Sequence, residues 1–122
     1  MDNLISIMFQ NSEDLMESIK QEALKQNIVY GTFMQASGEV KNFKLISRDL
    51  KPVQEIADPC FFESVGGRIL KTGNNKFDVK FYVVLAKKSE PKSKFYGQLK
   101  SAELNKPVEI KIFLNNVSKI IV

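Results

Sequence analysis

Histidine is absent from this sequence, and with it goes much of the common repertoire of enzymatic chemistry. Ser-His-Asp and Cys-His nucleophiles are excluded. With one cysteine, Cys60, the chain lacks the ligands of a structural zinc site, and a His-bearing catalytic zinc site is impossible. Carboxylate-only or lysine-based catalysis remains open, but the acidic residues form no pair at a recognisable spacing. Cys60 has no partner for an internal disulfide, which favours a reducing, cytoplasmic setting. Beside Phe61 and Phe62 it reads as a small buried apolar residue. No apolar run approaches the ~18 residues of a spanning helix. The opening "MDNLISIMF" has neither a basic region nor a small-residue cleavage site, so no signal peptide is expected. Walker-type and dinucleotide-type glycine patterns are missing too.

What is present is an ordinary globular composition, 43% hydrophobic and 26% charged over 122 residues. That length predicts one domain spanning 1–122, large enough for a proper core. The net charge of +4 is unevenly placed. Between Lys71 and Lys100 stand eight lysines against two acids, a local +6, while ten basic and twelve acidic residues elsewhere give −2. Such a segment is either a polyanion footprint or a solvated, lysine-rich surface that deters strand pairing between molecules.

The clearest local pattern is "KFDVKFYVVLA" at 76–86. On a strand, Phe77, Val79, Phe81, Val83 and Leu85 face one side, and Lys76, Asp78, Lys80, Tyr82 and Val84 the other. Further strands are predicted at 4–9, 28–34, 40–47, 60–70, 95–99 and 108–114, and "VSKIIV" closes the chain after a turn at Asn115-Asn116. Thr72 to Asn75 reads as a hairpin turn, "RDLKPVQEIADP" as a polar connection and "KKSEPKSK" at 87–94 as a charged loop. Leu15, Ile19 and Ala23 recur every four residues, which predicts one helix over about 12–26, capped by Asn11 or Ser12. The expected fold class is α+β, one main helix packed on a mixed or mostly antiparallel sheet of about seven strands.

Gly66-Gly67 within a strand-like run either offers backbone amides to an anion or, as paired glycines more often do, marks a bulge or a close approach of backbones. Aromatics and lysines interleave through 76–96, a pattern found on single-strand-binding surfaces. Because Phe77 and Phe81 fall on the core side, Tyr82 and Tyr96 are the stacking candidates.

Several segments, read in order, resemble the plants-and-prokaryotes-conserved (PPC) domain. "SEDLMESI" is similar to that family's helix start, "GEVKNFKL" to its Gly-Ala-x-x-Asn-Val-x-Leu strand, and "PCFFESVGGRI" to its Pro-Phe-Glu-x-x-Ser-Leu-x-Gly strand. "VKFYVVLA" stands at its His-x-His-Val-x-Leu-Ala strand, "YGQLKSAEL" at its Gly-Gly-His-Leu segment and "VEIKI" at its closing strand. The resemblance implies a homotrimer with no established reaction. In land plants the domain follows DNA-binding AT-hooks, whose Arg-Gly-Arg-Pro core is missing here. Three histidines that could hold a metal in many prokaryotic members are replaced by Lys80, Tyr82 and Gln98. Protonated lysine and a side-chain amide are poor ligands, so no metal or other cofactor is expected.

These readings predict a non-enzymatic, cytoplasmic homotrimer that contacts DNA or another polyanion, with no membrane association. The contacting residues would be Lys71, Lys76, Lys87, Lys88, Lys92 and Lys94. The alternative is a small anionic ligand in a cleft around Lys80, Tyr82 and Gln98, at or near a subunit interface. A third reading of these three residues is structural, with Lys80 buried against a carboxylate across a subunit boundary.

Overall fold

The alternation at 76–86 sets the frame of the molecule. In the computed structural model, which describes residues 3–10, 14–47 and 53–115, Phe81, Val83 and Leu85 are buried while Tyr82 points out. This strand is β6 (Lys76–Lys87), the middle of a long antiparallel meander with β5 (Cys60–Gly73) and β7 (Glu90–Leu104). The remaining strands are β1 (Leu4–Phe9), β2 (Tyr30–Ser37), β3 (Glu39–Ile46), β4 (Gln54–Ile56) and β8 (Val108–Leu114). They form one sheet in the order β1-β8-β2-β5-β6-β7-β3-β4.

The sheet curls back on itself. β3 pairs with β7 along its length, and its first residues also reach β5 through Glu39 opposite Phe61 and Val40 opposite Cys60. The circuit β5-β6-β7-β3 is thereby closed into a small barrel, while β1 and β4 remain the edge strands of the sheet. Val40, Phe43, Leu45, Phe62, Phe81, Val83, Leu85 and Leu99 are buried in its core. Cys60 is buried with them, and burial pushes its thiol up to about 11, consistent with an unreactive packing role.

The expected α+β class is corrected here. Strands hold 70% of the described residues and the helix 10%, in eight strands whose pairings are all antiparallel. Two misread segments account for much of the difference. The charged loop expected at 87–94 is instead a tight turn at Lys88-Ser89 followed by the start of β7. The polar connection before Cys60 contains β4, which pairs with β3 from Phe43 to Leu45. The expected last strand at 117–122 lies outside the described residues.

The helix α1 (Leu15–Lys25) is shorter than its periodicity suggested and packs mainly on β7 through Leu15, Met16, Ile19 and Ala23. Its cap is Asp14, whereas Asn11 and Ser12 lie outside the described residues. The Asp14 carboxylate accepts from the amides of Met16 and Glu17 at 3.4 Å, satisfying donors that the first helical turn leaves free. It also accepts from the amide of Ala102 at 2.9 Å, where the β3–β7 register is interrupted. One carboxylate therefore caps the helix and ties it to the barrel wall.

Candidate nucleic-acid interface

Lys80, Tyr82 and Gln98 do meet on one face. Tyr82 lies opposite Gln98 on β7 and opposite Gly66 on β5, and Lys80 sits two residues along β6, opposite Arg68. Tyr82 is 45% exposed, and Lys80 and Gln98 are half-buried. Among the described residues, the Lys80 side chain makes no ion pair or hydrogen bond, whereas its neighbour Arg68 reaches Asp78 at 3.4 Å. An ammonium with no carboxylate beside it leaves its charge uncompensated, and such a position favours an anion.

Paired glycines shape this face. Gly67 has φ +102°, and a β-carbon there would overlap the Lys80 carbonyl, so β5 and β6 approach too closely for a side chain. The sequence-based expectation of a close backbone approach holds at Gly67. Gly66 is different: a β-carbon there meets nothing within 4 Å, whereas the β-carbon of Gly67 would also meet the Tyr82 ring, at 3.1 Å. Tyr96, 63% exposed and opposite Val84, occupies the same face two residue pairs further along.

The lysines expected to form one surface are split between the two ends of β6. Lys71 and Lys76 flank the β5–β6 turn, and Lys87, Lys88, Lys92 and Lys94 cluster at the β6–β7 turn. Lys76 and Lys87 are roughly 35 Å apart at ~3.3 Å per residue. Carboxylates also hold half of them. Lys87 meets Asp58 at 3.0 Å, Lys88 meets Glu39 at 3.3 Å and Lys94 donates to Glu63 at 2.7 Å. The hydrogen bonds to Asp58 and Glu63 hold Lys87 and Lys94 more firmly protonated than usual. Lys71, Lys76 and Lys92 make no such pair among the described residues.

Glu39 organises the β6–β7 end and was not singled out from sequence. Its side chain is 13% exposed and receives Asn105 at 2.9 Å, Lys88 at 3.3 Å and Lys106 at 3.4 Å. Its backbone carbonyl accepts from the amides of Asn105 and Lys106. Burial raises the Glu39 carboxyl pKa, but these three donors outweigh it and leave it below the ordinary value. A carboxyl depressed in the folded state contributes stability above its unfolded pKa and loses it as pH falls through the folded one. Glu39→Gln is therefore expected to cost about 1–2 kcal/mol at neutral pH. The deficit should shrink as urea midpoints are followed from pH 7 to below pH 4.5, the ordinary carboxyl value. A deficit constant across that range would refute the assignment.

Metal chemistry does not fit this site. An ammonium, a phenol and an amide are a poor donor set, and the described residues contain no cluster of three His, Cys, Asp or Glu side chains able to hold an ion. No helix among them is long and apolar enough to cross a membrane.

Comparison with known proteins adds the family. Residues 2–114 match the Plants and Prokaryotes Conserved (PCC) domain, the family called PPC above. The chain belongs to this family. A crystal structure of a candidate DNA-binding protein from Bacteroides thetaiotaomicron matches this PPC domain with a TM-score of 0.80 at 15% identity, covering 95% of this chain and 81% of that one. A metal-containing protein from Archaeoglobus fulgidus gives 0.75 at 19% identity, covering 91% and 78%. A PPC protein from Pyrococcus horikoshii gives 0.74 at 19%, covering 93% and 79%. At these identities the likeness establishes the shared fold. No curated protein sequence matches the chain.

Proposed function

We propose that this PPC-domain protein is a non-enzymatic, cytoplasmic homotrimer, folded as one domain, that contacts DNA or another polyanion through lysines. The observation that carries the reading is the local +6 between Lys71 and Lys100. Carboxylates temper it at the β6–β7 turn, which leaves Lys71, Lys76, Lys80, Lys92 and Lys100 without an ion pair among the described residues. The candidate DNA-binding relatives from Bacteroides thetaiotaomicron and Ralstonia eutropha support the same reading. Lysine contacts of this kind address phosphates and read no bases.

Assembly is supported by a second feature. Leu4 and Phe113 pair across β1 and β8 and are 48% and 39% exposed, and Met8, 52% exposed, lies on the same face beyond Ser6 and Lys111; exposed apolar side chains of this kind favour association. Fluorescence anisotropy with labelled duplex DNA, on protein whose mass is set by sedimentation, tests both parts. Binding is expected at low salt and should fall steeply as salt rises, with a log–log slope near −0.9 per phosphate contact. Lys71→Glu with Lys76→Glu should weaken it across all sequences. Absence of binding to any nucleic acid at low salt would defeat the polyanion reading, and a monomer at working concentration would defeat the trimer.

A second reading rests on Lys80 itself, half-buried and unpaired among the described residues. A small carboxylate or phosphate would satisfy it with Tyr82 and Gln98 as hydrogen-bonding neighbours. A rise in melting temperature with such anions, lost in Lys80→Met, would favour this reading.

A further inference from the structure

The free cations explain attraction to phosphate but not the two exposed rings beside them. Tyr82 and Tyr96 project from adjacent antiparallel strands onto the same face, because Tyr82 pairs with Gln98 and Val84 with Tyr96. They are diagonal neighbours, about 7–8 Å apart between strand positions. A large aromatic on an antiparallel sheet normally spends its area on the core, as Phe81 and Phe33 do here, with ring centroids 4.3 Å apart. These two leave about half or more of their surface in water.

Their surroundings are those of a stacking platform. Gly67 leaves bare backbone beneath the Tyr82 ring, whose Cδ2 lies 3.1 Å from where its β-carbon would stand, and Gly66, opposite Tyr82 in register, leaves open space next to it. Lys80 stands on the same face without a carboxylate among the described residues. Lys94 lies on that face beyond Tyr96, held by Glu63, and Arg68 lies beyond Lys80, held by Asp78. Three cations against two acids leave the face positive, with Lys80 uncompensated. Rings that present π-faces, flanked by cations that track a backbone, suit single-stranded nucleic acid, whose bases are free to stack. A duplex keeps its bases stacked on one another and offers such rings nothing.

We infer that the β5-β6-β7 face binds single-stranded nucleic acid, with Tyr82 and Tyr96 each stacking a base and Lys80 meeting the phosphates between them. The inference rests on the polyanion reading above and narrows it to single strands. Lys76 lies on the Lys80 side of β6 at the β5–β6 turn, so a strand leaving Tyr82 past Lys80 runs in its direction, whereas Lys71 pairs with Phe77 on the other face.

Anisotropy titrations at low salt with labelled oligo(dT), an abasic strand of equal length and a mixed-sequence duplex test it. Oligo(dT) is expected to bind more tightly than the abasic strand. Tyr82→Ala and Tyr96→Ala should each weaken oligo(dT) about 5- to 150-fold and leave duplex and abasic binding nearly unchanged. Tyr82→Phe and Tyr96→Phe should restore it. Gly66→Thr, which adds a side chain where there is room, should weaken oligo(dT) without lowering the melting temperature. Equal affinity for oligo(dT) and the abasic strand, untouched by the alanine variants, would overturn the inference. If the lysine reversals still weakened binding in that case, the polyanion reading would survive it. No binding to any of the three probes would defeat both. If Tyr82→Ala or Tyr96→Ala reduced the sedimenting mass, the face would be an interface between copies, and the inference would fall.

Discussion

Gly67→Ala is expected to lower the melting temperature by about 10 °C or more, corresponding to roughly 3 kcal/mol in a domain of this size. Two costs add. The residue sits at φ +102°, where an L side chain is strained, and its β-carbon would overlap the Lys80 carbonyl across the β5–β6 ladder. Relief requires the two strands to part at the centre of the closed barrel, against pairing that runs from Cys60–Lys87 to Gly73–Lys76. Gly66→Ala provides the comparison within the same dipeptide. Its φ is not positive and its β-carbon meets nothing within 4 Å, so it should fall within about 0.5 kcal/mol of the parent. Thermal unfolding of the two variants side by side checks the pair. Equal losses would mean that the strand approach at Gly67 does not hold β5 and β6 together.

The asymmetry of these glycines shows where the sequence was legible and where it was not. That Gly66-Gly67 marks a close approach follows from composition, but which glycine is pinned depends on the partner strand. Likewise β6 could be read from its own alternation, because each side chain's face follows from the two-residue period of a strand. The stripe Leu15, Ile19, Ala23 identified α1 for the same reason. What failed was non-local. Lys87 to Lys94 carry charge, serine and proline, a loop composition, yet the chain there is a strand because β6 offers it a ladder. Closure of β3 onto β5 has no local signature, and without it a barrel reads as an open sheet with a helix on it. Asp14 was masked by two better-placed capping residues, and Glu39 by the distance in sequence to Lys88, Asn105 and Lys106.

The candidate site divides along the same line. Lys80, Tyr82 and Gln98 share a face because two of them lie two apart on one strand and the third pairs across, as their family positions suggested. The six lysines did not become one surface, because a count along a segment ignores that a strand of this length separates its ends by the width of the molecule. Charge density in sequence becomes charge density in space only where the chain turns back. It does so at the β6–β7 turn, and there acids from β3, β5 and the segment before β5 have arrived as well.

Adjacent aromatics on β6 give the sharpest separation of fold from function. Phe81→Ala is expected to cost about 3–5 kcal/mol, since Phe81 is fully buried and its ring lies 4.3 Å from Phe33 and 5.9 Å from Phe62 by centroid. That is a large share of the 5–15 kcal/mol that typically holds a domain together, so the variant should unfold at markedly lower urea with an unchanged slope. Tyr82→Ala, one residue later, removes a ring of similar size that faces water, and should change stability by no more than about 0.5 kcal/mol. Its loss should register in oligo(dT) affinity instead. Phe81→Ala, measured where it remains folded, should retain that affinity because the platform lies on the opposite face of the strand. The two substitutions thus form a crossed comparison in which each measurement responds to one ring. If Tyr82→Ala were as destabilising as Phe81→Ala, the Tyr82 ring would have to be covered in the assembled protein. The face would then serve contact between copies rather than a nucleic acid.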